Sequence, residues 1–320
     1  MNRKTKIWLI IAWSLLLAGI IIFGSVMTTL KWDFTKLSTT KYETISYEIN
    51  EKYNNISVLT KTADVLFLPS KSGETSVICM EEKNTKHNVT VQNDTLVIEA
   101  IDTRKWYEHI GINFGNAKIT VYIPQGEYGA LSVKSDTGDI EIPKEFEFQS
   151  IAVSGSTSDV NCYSSVSDTV DIKLSTGDIN LQDIRIGNAK LTVSTGDINL
   201  KSVNCDKDLE VNVDTGKTKL TDVLCDNVLS KGDTGDMALY NVIAKKGFSI
   251  TRDTGDVKFE KSDAAEINVR TSTGDVKGTL LSSKVFIAES VAGDVKVPKT
   301  TSGGKCEINT STGDINITVN

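Results

Sequence analysis

The tripeptide Thr-Gly-Asp, or a close variant of it, returns at a fixed interval along most of this chain. That interval constrains the fold more than any other feature. The turn glycines are Gly138, Gly177, Gly196, Gly216, Gly235, Gly255, Gly274, Gly293 and Gly313, and from Gly177 onward the gaps are 19, 20, 19, 20, 19, 19 and 20. The one double gap is filled by Ser158-Asp159 at the same spacing on both sides, so the register holds for ten units. Self-similarity at this period marks a solenoid, in which each unit is one turn of chain that cannot bury its apolar face alone.

The apolar positions keep step with the turn. Leu131 and Val133, Val170 and Ile172, and Phe248 and Ile250 lie eight and six residues before their turn Asp, and the same two offsets carry Val228 and Ser230. Directly after the Asp, and two further on, stand Ile140 and Ile142, Ile179 and Leu181, Ile198 and Leu200, and Thr218 and Leu220. A third pair follows at offsets six and eight, as in Ile184 and Ile186, Val203 and Cys205, and Val223 and Cys225. Alternation with period two predicts three short strands per turn, with equivalent positions stacked about 4.8 Å apart. Glycine supplies the positive φ of a sharp corner, and Asp accepts hydrogen bonds from exposed corner amides. Gly138-Asp139, Gly177-Asp178, Gly196-Asp197, Gly235-Asp236, Gly255-Asp256, Gly274-Asp275, Gly293-Asp294 and Gly313-Asp314 are therefore read as a structural corner ladder. The expected fold is all-β: a single-stack β-solenoid of about ten rungs of 19 or 20 residues over 131–320, behind an irregular β region and cap over 50–130.

Within that cap region, Ile56-Ser57-Val58-Leu59 and Val65-Leu66-Phe67-Leu68 flank Thr62-Ala63-Asp64, a degenerate form of the turn. Val89-Thr90-Val91 and Leu96-Val97-Ile98 flank Asn93-Asp94, a hairpin signal. The aromatic patch Arg104-Lys105-Trp106-Tyr107-Glu108-His109 is expected to cover the first rung. The lead-in Ile119-Thr120-Val121-Tyr122-Ile123-Pro124, the segment Leu131-Ser132-Val133-Lys134-Ser135-Asp136-Thr137-Gly138-Asp139-Ile140 and the iterated Ser-Thr-Gly-Asp-Ile resemble the putative adhesin family of bacterial surface proteins over roughly 50–320. The resemblance implies a β-strand-repeat domain on a cell surface and brings no catalytic residues with it.

Ile7 to Met27 is a run of 21 residues without a charge, long enough to span a bilayer as a helix. It has no small-residue exit of the A-x-A kind, so an uncleaved signal anchor is expected over 7–27, with a cytoplasmic tail at 1–6 and a linker at 28–49. Arg3, Lys4 and Lys6 precede it and place the bulk of the chain extracytoplasmically. Beyond the anchor 32 basic residues face 42 acidic ones, a net charge of −10 that repels nucleic acid.

Catalytic chemistry is not expected, and no cofactor is implied. The two histidines, His87 and His109, read as isolated surface residues. If the rungs are in register, Asp214, Asp233, Asp236, Asp253 and Asp256 share one corner and form a weak Ca²⁺ candidate, with polysaccharide chemistry remoter still. Lys217 interrupts that row, and Lys231 and Arg252 lie beside it and can offset its charge without metal. Cys205 and Cys225 stack on adjacent rungs, either as a disulfide or as small buried thiols, and with five cysteines at least one has no intrachain partner.

The expected function is an anchored surface scaffold, adhesin-like, with a protein or cell-wall partner. The alternative is an envelope-stress sensor or regulator working through a membrane partner. Because the sequence stops at Thr318-Val319-Asn320 inside a strand, the C-terminal rung is expected to be uncovered and to pair with another copy or another protein.

Overall fold

The computed structural model describes residues 2–37, 42–82, 85–102 and 117–320. Helix α1 (Arg3–Thr29) is followed by a 3-10 turn at Phe34–Leu37 and then by strands. The N-terminal region holds β1 (Tyr42–Ile49), β2 (Asn55–Thr60), β3 (Ala63–Pro69), β4 (Thr75–Glu82), β5 (Thr85–Gln92), β6 (Thr95–Asp102) and β7 (Ala117–Ile123). The repeats begin with β8 (Gly126–Thr137), β9 (Ile140–Ile142), β10 (Phe146–Thr157), β11 (Val160–Cys162), β12 (Ser165–Thr176), β13 (Ile179–Thr195), β14 (Ile198–Cys205) and β15 (Asp208–Thr215). They continue with β16 (Thr218–Thr234), β17 (Met237–Thr254), β18 (Val257–Thr273), β19 (Val276–Leu280), β20 (Lys284–Ala292), β21 (Val295–Lys296), β22 (Gly304–Thr312) and β23 (Ile315–Val319). Part of the segment read as a linker is thus a strand, because β1 pairs antiparallel with β4 from Tyr42↔Glu82 to Ile49↔Thr75.

The strands form a β-solenoid of about ten turns, as the repeat predicts. Equivalent positions stack in parallel register: Ile179 on Ile198, Ile198 on Thr218, Thr218 on Met237, Met237 on Val257 and Val257 on Val276. The alternation of 19- and 20-residue rungs is absorbed by bulges away from the Thr-Gly-Asp corner, for example where Cys225↔Ala244 gives way to Asn227↔Gly247. A second corner, five residues after the turn position, holds Asp183, Ser202, Asp222, Asn241 and Lys261 at φ between 49° and 55°. Asn and Asp tolerate that left-handed region best, which explains three of the five. Inward side chains form one continuous core, with Phe248 stacked on Phe259 at 5.9 Å between ring centroids. Each fully buried Leu, Ile or Phe contributes about 1.5–3 kcal/mol, against about 0–1 kcal/mol for an exposed ion pair, so the ladders and not the surface charges hold the rod together.

Threading at both ends departs from sequence order. At the N-terminal end β2 lies between β6 and β8, and β3 between β7 and β9. Antiparallel strands then close that end, β5 on β6 and β4 on β7. The β5–β6 hairpin turns through Asn93 and Asp94, both at positive φ, as that dipeptide predicts. The patch at 104–109, expected to form the cap, lies outside the described residues.

At the other end β22 pairs with β18 on one side and with β20 on the other, while β23 sits between β19 and β21. Among the described residues β22 and Ile315 and Asn316 of β23 are therefore inner, the strands with a wholly free edge are β20–β21, and 317–319 of β23 pair with β19 alone. The expected uncovered C-terminal rung is thus found at 317–319 and not at β22, which β20 covers. Gly304 permits the insertion, since any Cβ there would strike the Ala265 carbonyl oxygen.

Candidate functional site

The corner ladder has a specific hydrogen-bond chemistry. The amide of each turn residue donates to Oδ1 of the turn Asp stacked beneath it: Asp139 to Asp64, Asp159 to Asp139, Asp178 to Asp159 and Asp197 to Asp178, at 2.8–3.0 Å. The series ends Asp275 to Asp256, Asp314 to Asp275 and Asp294 to Asp314, each at 2.8 Å, and so records the exchanged order of the last two rungs. Lys217 donates its amide to Asp197 at 2.7 Å but has no carboxylate to offer the next rung. At Gly235 glycine is required, because φ is positive and a Cβ would meet the Gly216 carbonyl oxygen.

The five aspartates of the Ca²⁺ candidate do not converge. Asp236 Oδ1 already accepts from the Asp256 amide at 3.0 Å, and Asp214, Asp233 and Asp253 are exposed. Arg252 does not sit over them either. It points into the core, 2% exposed, and donates to Ser230 Oγ at 2.9 Å, Thr218 Oγ1 at 3.3 Å and the Thr251 carbonyl at 3.0 Å. Burial pushes its guanidinium down to about 10. Gly232 makes the room, since a Cβ there would lie 2.8 Å from Arg252 Nη1. The polar ladder members Thr218 and Ser230 are thus the lining of an arginine site.

Cys205 and Cys225 are free thiols, and so are Cys79, Cys162 and Cys306; all five are buried. Cys205 Sγ faces the Asp208 carbonyl at 3.3 Å and the Gly187 carbonyl at 3.7 Å.

The constellation that sequence reasoning missed lies in the cap. His87 is not a surface residue. It is 4% exposed on β5, and its ring Nδ1 and backbone amide both meet Glu81 Oε2, at 2.8 and 2.6 Å. Cys79 and Glu81 alternate inward on β4, both fully buried, and burial followed by the Glu81 charge pushes the Cys79 thiol up to about 12. Donor atoms of Cys79, Glu81 and His87 all lie within 4.8 Å of one another, and among the described residues no other group of three or more such side chains does so. The signal was present as Cys79-x-Glu81, one strand face, followed six residues after Glu81 by His87. His109 lies outside the described residues.

A parallel β-solenoid with an antiparallel cap, carrying one N-terminal helix long and apolar enough to cross a membrane, defines the class of this protein. The profile of the Toastrack family, DUF4097, matches residues 53–207 and 204–320, and the chain belongs to that family. Among solved structures it is similar to a putative lipid binding protein from Parabacteroides distasonis, at 16% identity and a TM-score of 0.51, with 88% of this chain and 98% of the other covered. A putative adhesin from the same organism aligns at 11% identity and a TM-score of 0.51, covering 85% of this chain and 98% of its own. These likenesses are of fold. Comparison with curated proteins gave no match.

Proposed function

We propose that the protein is a membrane-anchored, extracytoplasmic interaction scaffold, an adhesin-like rod that associates with a second copy of itself through its outer rung. The membrane part rests on α1, where Trp8, Leu15 and Ile20 are exposed and the most apolar stretch buries nothing against the rest of the chain. A helix of that kind is stable when lipid covers it. Arg3, Lys4 and Lys6 keep its start on the cytoplasmic side and leave the solenoid outside.

The observation that carries the binding reading is the edge of β20–β21. Among the described residues these strands have a ladder partner on one side alone, and Ile287 and Val291 are 51% and 80% exposed beside it. Unpaired strand edges with apolar flanks are pairing templates. A rod end accepts only a partner whose strands match its cross-section, and a second copy matches by construction. Antiparallel pairing of β20 with itself about Ala288 sets Val285 opposite Val291 and continues the core through Phe286, an isologous two-fold contact.

Sedimentation of the full chain in detergent micelles tests this. A dimer that Val291→Lys or Ile287→Lys dissociates is the expected result. A wild-type chain that stays monomeric at every concentration contradicts it.

A further inference from the structure

The buried cluster in the cap is unused by the reading above, and its chemistry is specific. We propose that Cys79, Glu81 and His87 form a binding site for one divalent transition-metal ion of the zinc class, a site that pins the β4–β5 arm of the cap onto the rod.

The donor types point to that class. A thiolate, an imidazole and a carboxylate together suit zinc and its neighbours, whereas Ca²⁺ and Mg²⁺ select oxygen alone. The placement follows from the strands. Period-two alternation puts Cys79 and Glu81 on the same inward face of β4, and the reversal into β5 brings His87 against them. Tyr47 Oη, donating to the His87 carbonyl at 2.8 Å, holds that strand in position.

A second observation is independent of this convergence. Glu81 Oε2 takes both hydrogen bonds from His87, yet Oε1 of the same carboxylate is buried with no hydrogen-bond partner. A simple His–Glu pair leaves that lone-pair-rich oxygen unsatisfied in the interior, at a cost that native structures avoid. A cation held jointly with Cys79 Sγ and His87 satisfies it.

The proton balance is straightforward. The incoming ion displaces the Cys79 thiol proton to solvent, so binding tightens as pH rises. With the ion on His87 Nδ1, the imidazole proton sits on Nε2, where Thr60 Oγ1 lies 3.3 Å away to accept it, the usual second partner of a metal-bound histidine. Three protein ligands leave a fourth position for water.

The test uses full-length protein in detergent, stripped with a chelator and titrated with Co²⁺ as a spectroscopic probe and then with Zn²⁺. One equivalent of Co²⁺ should give a sulfur-to-metal charge-transfer band that Zn²⁺ displaces, and Zn²⁺ should raise the melting temperature. Cys79→Ser should abolish the band and weaken binding at least tenfold, while Cys225→Ser, at a buried thiol outside the cluster, should change neither. Because Cys79→Ser alters a buried position, X-ray absorption of the zinc-loaded wild type supplies a readout free of any variant: one sulfur and mixed nitrogen and oxygen neighbours are expected. No charge-transfer band, a sulfur-free zinc shell, or binding that survives Cys79→Ser unchanged overturns the proposal.

Discussion

Lys284 Nζ lies 2.7 Å from Asp263 Oδ1, and both side chains are nearly buried. Lys284 belongs to the outer strand β20 and Asp263 to β18, with β22 threaded between them. The ammonium passes Gly304, its register partner on β22, to reach the carboxylate. This pair fastens the exchanged outer rung across the rung that ends the sequence. Lys284→Met leaves a carboxylate without its cation in a largely buried place, at a cost of about 3–5 kcal/mol. Denaturant unfolding should show that loss, and hydrogen exchange should show it concentrated in β20 and β22. Adding Asp263→Leu should recover most of it, because a matched apolar pair replaces a buried ion pair at little net cost.

The break in the Asp ladder gives a prediction of opposite sign. Lys217 offers the Asp236 amide no side-chain acceptor, whereas its neighbours donate as Asp197 to Asp178 and Asp256 to Asp236. Lys217→Asn restores an acceptor without adding negative charge. Stability should rise by about 0.5–1.5 kcal/mol, read as a higher denaturation midpoint at unchanged slope.

Acid should loosen the same ladder. The Asp275 carboxylate is held below its ordinary range first by the Asp314 amide and then by the Lys277 ammonium. Its charged form is favoured by folding, so its contribution is complete above the unfolded carboxylate range and disappears as pH falls through the lowered folded value. Asp275→Asn keeps the acceptor and removes the titration. Wild type should therefore lose more melting temperature than Asp275→Asn on acidification from pH about 6 to about 3.

Arg252 is a charge the core hosts with hydroxyls and a carbonyl and no carboxylate among its hydrogen-bond partners. Replacing the whole group, Arg252→Met with Ser230→Val and Thr218→Val, exchanges a desolvated cation and its lining for apolar ladder positions. The triple variant should be at least as stable as wild type, by as much as about 1–4 kcal/mol. Arg252→Met alone should gain less, because the two hydroxyls then lose a donor.

The architecture was legible because the interval between turns fixes the stacking distance and the inward positions together, as Ile179, Ile198 and Thr218 show by lying in register. Threading was not legible. β20 and β22 both present the repeat's pattern, so periodicity cannot say which of them stacks on β18; Gly304 and Lys284 decide it, one by vacating space and the other by reaching through it. Arg252 read as surface because of its charge and because Gly232 and Thr271 hold its position in adjacent rungs, yet that position, four before the turn residue, carries the buried Leu174, Val193 and Val213 in earlier rungs, a signal of an inward face. His87 read as isolated because its partners Cys79 and Glu81 meet it only once β4 and β5 fold back on one another.

The proposed self-association makes β20–β21, at the free end of the rod, the contact between two copies. All five native cysteines are buried, so Ile287→Cys, next to the two-fold pivot at Ala288, places one accessible thiol beside that edge. Treating intact membranes that carry this variant with a short bismaleimide measures the contact directly. Efficient cross-linking to a homodimer, abolished by Val291→Lys and not reproduced by a cysteine at Asn316, which has β19 on one side and β21 on the other, is the predicted result. Cross-linking from Asn316→Cys with none from Ile287→Cys would contradict it.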